Sequence, residues 1–91
     1  MTEEILATCL SMLKVDLGIS GTAYDSRLNQ YLQNAEAQIT REGVTLDYSA
    51  LDDLQLIVMY AAWTWRRRDT GEGMPRMLRY TLNNRIFAGK V

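Results

Sequence analysis

Apolar residues return at helical intervals along this chain. Ile5, Leu6, Cys9, Leu10 and Leu13 share one face, and this spacing predicts an amphipathic helix from about Glu3 to Leu13. Thr2 is placed to cap it, and Glu3 and Glu4 fall in the first turn, where negative charge complements the helix dipole. The stretch from Lys14 to Ala23 holds two glycines, Gly18 and Gly21, and breaks the pattern. A second stripe follows with Tyr24, Leu28, Tyr31, Leu32, Ala35 and Ile39, while Arg27, Gln30, Gln33, Asn34 and Arg41 take the other positions. It predicts a helix from near Ala23, with Thr22 and Asp25 as a capping pair and Gly43 as the C-terminal stop.

The third segment differs. Leu51, Leu54, Val58, Ala61, Ala62 and Trp65 form one face, but Leu56, Ile57, Met59, Tyr60 and Trp63 occupy most of the rest. A helix apolar nearly all round is buried on several sides. The simplest reading is the central core helix, begun by a Ser49/Asp52 cap. At its C-terminal end Trp63 and Trp65 run into Arg66, Arg67 and Arg68, and there a contact with a neighbouring subunit competes with the core reading. Asp69–Pro75 reads as a loop, with Gly71 and Gly73 as breakers and Pro75 able to take the first position of a fourth helix. That helix reaches about Phe87, with Met74, Leu78, Leu82, Ile86 and Phe87 inward and Arg76, Arg79 and Asn83 outward. No repeat, low-complexity run or domain boundary appears. The predicted fold is all-α, a small bundle of about four helices forming a single domain over residues 1–91.

Composition narrows the function. With 91 residues, 47% of them hydrophobic, the chain can bury about 60% of its unfolded surface, a modest core that oligomerisation often supplements. Cys9 is the only cysteine, so no intrachain disulfide can form; a small core residue in a reducing compartment is expected. The N-terminus lacks the charged and apolar regions of a signal peptide. The longest apolar run, Ile57 to Trp65, is too short to cross a bilayer. There is no histidine, which removes His-based acid–base chemistry, the Ser-His-Asp and Cys-His arrangements and nearly every zinc site. Neither GxxxxGK[ST] nor GxGxxG occurs, and the Gly71/Gly73 loop is too short and too poor in lysine to cradle phosphate. No catalytic, cofactor-binding or metal-binding residues are assigned, and nothing in the sequence supports an enzyme.

Charge is the most informative feature. Ahead of Arg66 stand three basic residues against nine acidic ones; from Arg66 onward, seven basic residues face only Asp69 and Glu72. A near-neutral total thus hides an acidic first part and a basic last quarter, which bears on partners rather than on fold. Arg66, Arg67 and Arg68 at a helix C-terminus would meet the negative end of its dipole, and at least one of them is expected to do only that. The others, with Arg76, Arg79, Tyr80 and Arg85, could contact nucleic acid or a partner, since the guanidinium fork binds phosphates and carboxylates alike. The acidic remainder, and a sequence pI of about 5.3, favour a head-to-tail assembly in which an acidic flank meets the basic flank of the next subunit.

The order of parts resembles that of the small head–tail connector proteins of tailed bacteriophages, the phage DNA-packaging or adaptor family. The resemblance rests on Leu13-Lys14-Val15-Asp16, on Ala23-Tyr24-Asp25 leading into Leu28…Tyr31-Leu32…Ala35…Ile39, and on the Trp63-to-Arg68 stretch. Its most specific part is Met74-Pro75-Arg76-Met77-Leu78-Arg79-Tyr80, running into Leu82-Asn83-Asn84-Arg85-Ile86-Phe87. It covers essentially the whole chain and implies an all-helical, non-catalytic protein of the virion head–tail junction, made in the bacterial host cytoplasm. Such a protein forms a ring homo-oligomer, typically twelve-fold, below the portal protein. The ring carries the next connector or stopper protein and extends the channel through which double-stranded DNA passes without sequence readout. No cofactor and no membrane is involved. The residues placed at ring and portal contacts are Trp63, Trp65, Arg66, Arg67, Arg68, Arg76, Arg79, Tyr80 and Arg85. The chain has at most a short tail, Ala88 to Val91, where relatives carry longer arms. The alternative is a small DNA-binding packaging or regulatory protein that uses the basic C-terminal helix.

Overall fold

In the computed structural model, which describes residues 1–88, four helices follow one another: α1 (Glu3–Leu17), α2 (Asp25–Arg41), α3 (Leu51–Thr70) and α4 (Arg76–Ala88). The predicted all-α single bundle is what forms. Of the expected tail, Ala88 ends α4, and Gly89, Lys90 and Val91 lie outside the described residues.

Backbone chemistry sets the helix ends, and several differ from the sequence expectation. Thr2 caps α1 as expected, its hydroxyl accepting the Ile5 N–H at 3.2 Å. The helix continues a full turn past Leu13, because nothing in Lys14–Leu17 opposes it and the first residue suited to a left-handed cap is Gly18, at φ 69°. Thr22 does not cap α2. Tyr24 holds that position without a side-chain hydrogen bond, and Asp25 instead pairs with Lys14 at 2.8 Å, tying the start of α2 to the end of α1. Lys14 also donates to the Gly21 carbonyl within the loop it spans.

The Ser49/Asp52 cap is likewise replaced. Ala50 is the N-cap of α3, and the turn is organised by Asp47, whose carboxylate accepts both the Ser49 N–H at 3.0 Å and the Ser49 hydroxyl at 2.6 Å. At its other end α3 absorbs Asp69 and Thr70, expected in the loop, and stops only at Gly71, at φ 66°. The Gly71 N–H closes on the Arg67 carbonyl at 2.8 Å.

α3 is the element against which the other three pack. Leu54, Leu56, Ile57, Val58, Tyr60, Ala61 and Ala62 are all buried, on every side of the helix except the strip of Asp52, Gln55 and Met59. Cys9 and Leu13 come from α1, Leu28, Leu32, Ala35 and Ile39 from α2, and Leu78 and Leu82 from α4. Leu51 and Phe87, expected inward, are exposed instead, since each lies at a helix end beyond its neighbours' reach.

Two polar ties fix the periphery. Asp53, the one buried charged residue among those described, accepts from Arg85 Nη2 at 2.8 Å and Nε at 3.0 Å, and takes the Asp47 N–H at 2.7 Å. This fork-to-carboxylate geometry anchors the end of α4 to the start of α3. On the opposite flank Glu36 accepts from the Tyr48 hydroxyl at 2.5 Å and from the Met1 ammonium at 3.0 Å. Burial would raise the Glu36 carboxyl, but these two donors and the ammonium charge outweigh it and hold the carboxyl below its ordinary range. The same bond, with help from burial and the Glu36 charge, pushes Tyr48 up to about 12.

Arg85→Ala would strand Asp53 without its counter-charge, and a loss of about 2–4 kcal/mol in urea unfolding is expected, near the range for broken buried pairs. Arg76→Ala, on the open surface, should change stability by less than about 0.5 kcal/mol. Tyr48 has a folded-state pKa above the roughly 10 of an unfolded tyrosine. Its hydrogen bond therefore contributes fully below about pH 10 and is lost as pH rises through about 12. Wild type and Tyr48→Phe should differ by about 1 kcal/mol at neutral pH, and the gap should close over that alkaline window in pH-resolved unfolding.

Candidate interaction surface

The expected site residues separate into two groups. Trp63 and Trp65, 8% and 9% exposed, belong to the core. Tyr24 and Tyr31 meet the Trp65 ring edge-on at centroid distances of 5.9 and 5.3 Å, and Tyr60 meets Trp63 at 5.4 Å. The Trp63 indole N–H donates to the Glu72 carbonyl at 3.3 Å, holding the α3–α4 loop back against the helix. Arg85 is turned inward to Asp53. These three residues therefore support the surface from beneath and are not exposed faces of it. Periodicity had marked the tryptophans as core candidates too. The inward turn of Arg85 had no local sign, because its partner lies 32 residues away.

The arginines at the end of α3 are exposed but organised. Helical geometry puts Arg67 one turn beyond Trp63 and Arg68 nearly one turn beyond Trp65. The Arg67 guanidinium carbon lies 4.8 Å from the Trp63 ring centroid, and that of Arg68 lies 3.8 Å from the Trp65 centroid. Such stacking is worth roughly 0.5–1 kcal/mol at exposed sites and restricts the side chain while leaving its N–H edges available. Arg68 also donates to the Trp65 carbonyl at 2.7 Å and lies 3.5 Å from Asp69, so it fills the helix-terminus role expected of at least one of the three. Arg66 reaches across to the Asp16 carbonyl at 3.2 Å, satisfying an end carbonyl of α1. Arg67 remains the preorganised fork with no ion-pair partner among the described residues.

On α4, Arg76 is exposed and unpaired among the described residues, and Arg79 lies 3.5 Å from Glu42 in a half-exposed pair. Met77, Tyr80 and Phe87 are 71%, 65% and 68% exposed. At 100° per residue they fall on one side of α4, away from Leu78 and Leu82. The outer face of α4 is thus apolar and aromatic with arginine beside it, where the sequence marks a basic face with Tyr80 interleaved.

The acidic counterpart is also relocated. The acids of α2 are internally satisfied: Asp25 by Lys14, Glu36 by Met1 and Tyr48, Glu42 by Arg79. The exposed acids without an ion-pair partner among the described residues include Glu3 and Glu4 at the start of α1 and Asp47 and Asp52 around the start of α3. Ser49's hydroxyl and N–H hold the Asp47 carboxyl below its ordinary value. α1 and α3 run the same way, since the end of α1 meets Arg66 while Met1 meets Glu36 beside Tyr48, just ahead of α3. Glu3, Glu4, Asp47 and Asp52 therefore gather at one end of the bundle, roughly 30 Å of twenty-residue helix from the arginines at the other, where Asp16 and Glu72 lie among the arginines.

Chemically the arrangement offers recognition of anions at one end, of cations at the other, and apolar contact along α4. The thiol of Cys9 is sealed in the core, and burial, reinforced by Glu36, pushes its pKa up, away from the reactive thiolate. No helix is long and apolar enough to cross a membrane among the described residues. Comparison with protein-family models, characterised proteins and solved structures finds no match.

The two groups of residues should respond differently to substitution. Trp65→Ala is expected to cost about 3–5 kcal/mol in chemical unfolding, as for other buried aromatics. Arg67→Gln should cost no more than about 1 kcal/mol, the value of an exposed cation–π contact.

Proposed function

We propose that this chain is a structural connector of the head–tail junction of a tailed bacteriophage. It assembles as a ring beneath the portal protein, extends the channel for double-stranded DNA and presents a platform to the next connector or stopper protein. The observation that carries this reading is the cluster of Glu3, Glu4, Asp47 and Asp52 at one end of the bundle opposite an excess of exposed arginine, with Arg66, Arg67 and Arg76, at the other. A molecule polar along its length associates head to tail, and a heterologous contact that repeats with rotation closes into a ring. The resemblance of Met74–Phe87 and the Trp-Arg stretch to that family supplies the biological setting. The reading involves no catalysis: the ring acts by its shape and its contacts.

The DNA-reading alternative is less well supported. Of the three α4 arginines a duplex would need, Arg85 is committed to Asp53 and Arg79 is paired with Glu42, leaving Arg76. The five residues between α3 and α4 exceed the three- to four-residue turn of a helix-turn-helix. DNA in the channel would pass the ring without being read.

Native mass spectrometry and light scattering, with and without a tailed-phage portal protein, provide the test. A closed ring or a portal-bound complex is expected, weakening as salt screens the poles. A chain that stays monomeric alone and ignores the portal at every ratio would sink the reading.

A further inference from the structure

The face of the bundle between α1 and α4 holds three adjoining depressions, of about 140, 280 and 260 Å³, and Met59 of α3 borders all three. They form one shallow groove because α4 packs chiefly on α3 and leaves the α1 side of that helix uncovered. Met12 supplies one wall, Met77 of α4 part of the other, and Gln55 and Met59 the floor. Methionine walls adapt to irregular apolar partners. Asp52 lies at one end of the groove, exposed and without an ion-pair partner among the described residues, while Asp16 lies nearer Arg66 at the other.

We infer that this groove receives the outer face of α4 from a second copy of the chain, with Tyr80 and Phe87 in the groove and Arg76 against Asp52. The two surfaces match in kind. The donor helix carries an apolar, aromatic stripe bordered by an unpaired arginine; the acceptor is a methionine-floored groove bordered by an unpaired carboxylate. Amphipathic helices dock in grooves by this combination of apolar anchors and flanking charge. Asp52 is the better counter-charge than Asp16, whose neighbourhood already holds Arg66. The charge match names the occupant: an acidic partner would be attracted by Arg76 but repelled by Asp52, whereas a copy of this chain offers the required opposite charge at each contact. The inference rests on the ring reading for its partner and adds the surfaces that meet.

The test is a charge exchange between copies, with Asp52→Arg and Arg76→Asp made in separate chains. Each variant alone sets like charges against each other across the contact, and in an equimolar mixture both contacts between unlike chains pair opposite charges, one as in the wild type and one with the sign reversed. Association is read by sedimentation and by concentration-dependent NMR shifts of isotope-labelled chain, which detect weak contacts. Helical circular dichroism shows that each variant is folded. The expected result is association of the wild type, at least a tenfold weaker association of each variant alone, and recovery in the mixture. Labelled wild type should show shifts concentrated at Met12, Gln55, Met59, Met77, Tyr80 and Phe87. Wild type that associates while both variants match it, or while the shifts fall elsewhere, overturns the groove and leaves the ring standing. Recovery confined to a closed dimer sustains the groove and removes the ring. No association of the wild type at any concentration overturns the groove, while the portal-bound assay still decides the ring.

Discussion

Everything else in this molecule depends on covering α3. Leu56, Ile57, Val58, Ala61 and Ala62 are buried around all of its circumference but the strip of Asp52, Gln55 and Met59, so the helix is stable only where other helices exclude water from those sides of it. α1 and α2 cover two sides, and their mutual ties, Lys14 to Asp25 and Met1 to Glu36, hold that pair together. α4 covers the third side with Leu78 and Leu82 alone fully inside, and it relies on the Arg85–Asp53 pair to hold its far end. Thirteen residues of α4 thus close a core that three helices leave open, and they do so without spanning the whole width of α3.

That partial coverage has functional weight. A helix that touches the core by one narrow stripe has most of its circumference left for other contacts. In α4 that remainder carries Met77, Tyr80 and Phe87 beside Arg76. Exposed large apolar residues sharing one face mark an interaction surface more clearly than the same residues scattered singly. The groove beside α4 arises from the same cause, since the width of α3 that α4 leaves uncovered is the groove's floor. Donor and acceptor surfaces are in this sense two consequences of one packing choice.

The arginines show how a core can prepare a surface. Trp63 and Trp65 are too large to be sealed completely, and their remaining edges lie under Arg67 and Arg68. The cations shield the indole rings and are restrained in return. Arg66 and Arg68 spend part of their hydrogen-bonding capacity on backbone carbonyls of α1 and α3. An apparently uniform triplet therefore contains one free fork, one helix cap and one interhelix brace, with different expected effects when each is changed.

The sequence by itself determined the number of helices, their class, the central place of α3 and the two opposed blocks of charge. Each of these follows from spacing and composition within a segment: helical periodicity for the stripes, apolar residues on every side for α3, and simple charge order for the poles. It also placed Thr2 as a cap, where the bond runs between residues three apart. The tertiary structure decided which charges are spent. Asp25, Glu36 and Glu42 belong to the acidic part of the chain, yet Lys14, the Met1 ammonium and Arg79 pair with all three. Arg85 read as one of a basic row, and Asp53, 32 residues earlier, turns it inward. Helix ends at Tyr24 and Ala50 also escaped local rules, because Asp25 and Ser49 bond outside the motifs in which they stood. Long-range pairing between charged side chains has no periodic signature along the chain, so only the fold could separate the charges that hold the bundle together from those left for a partner.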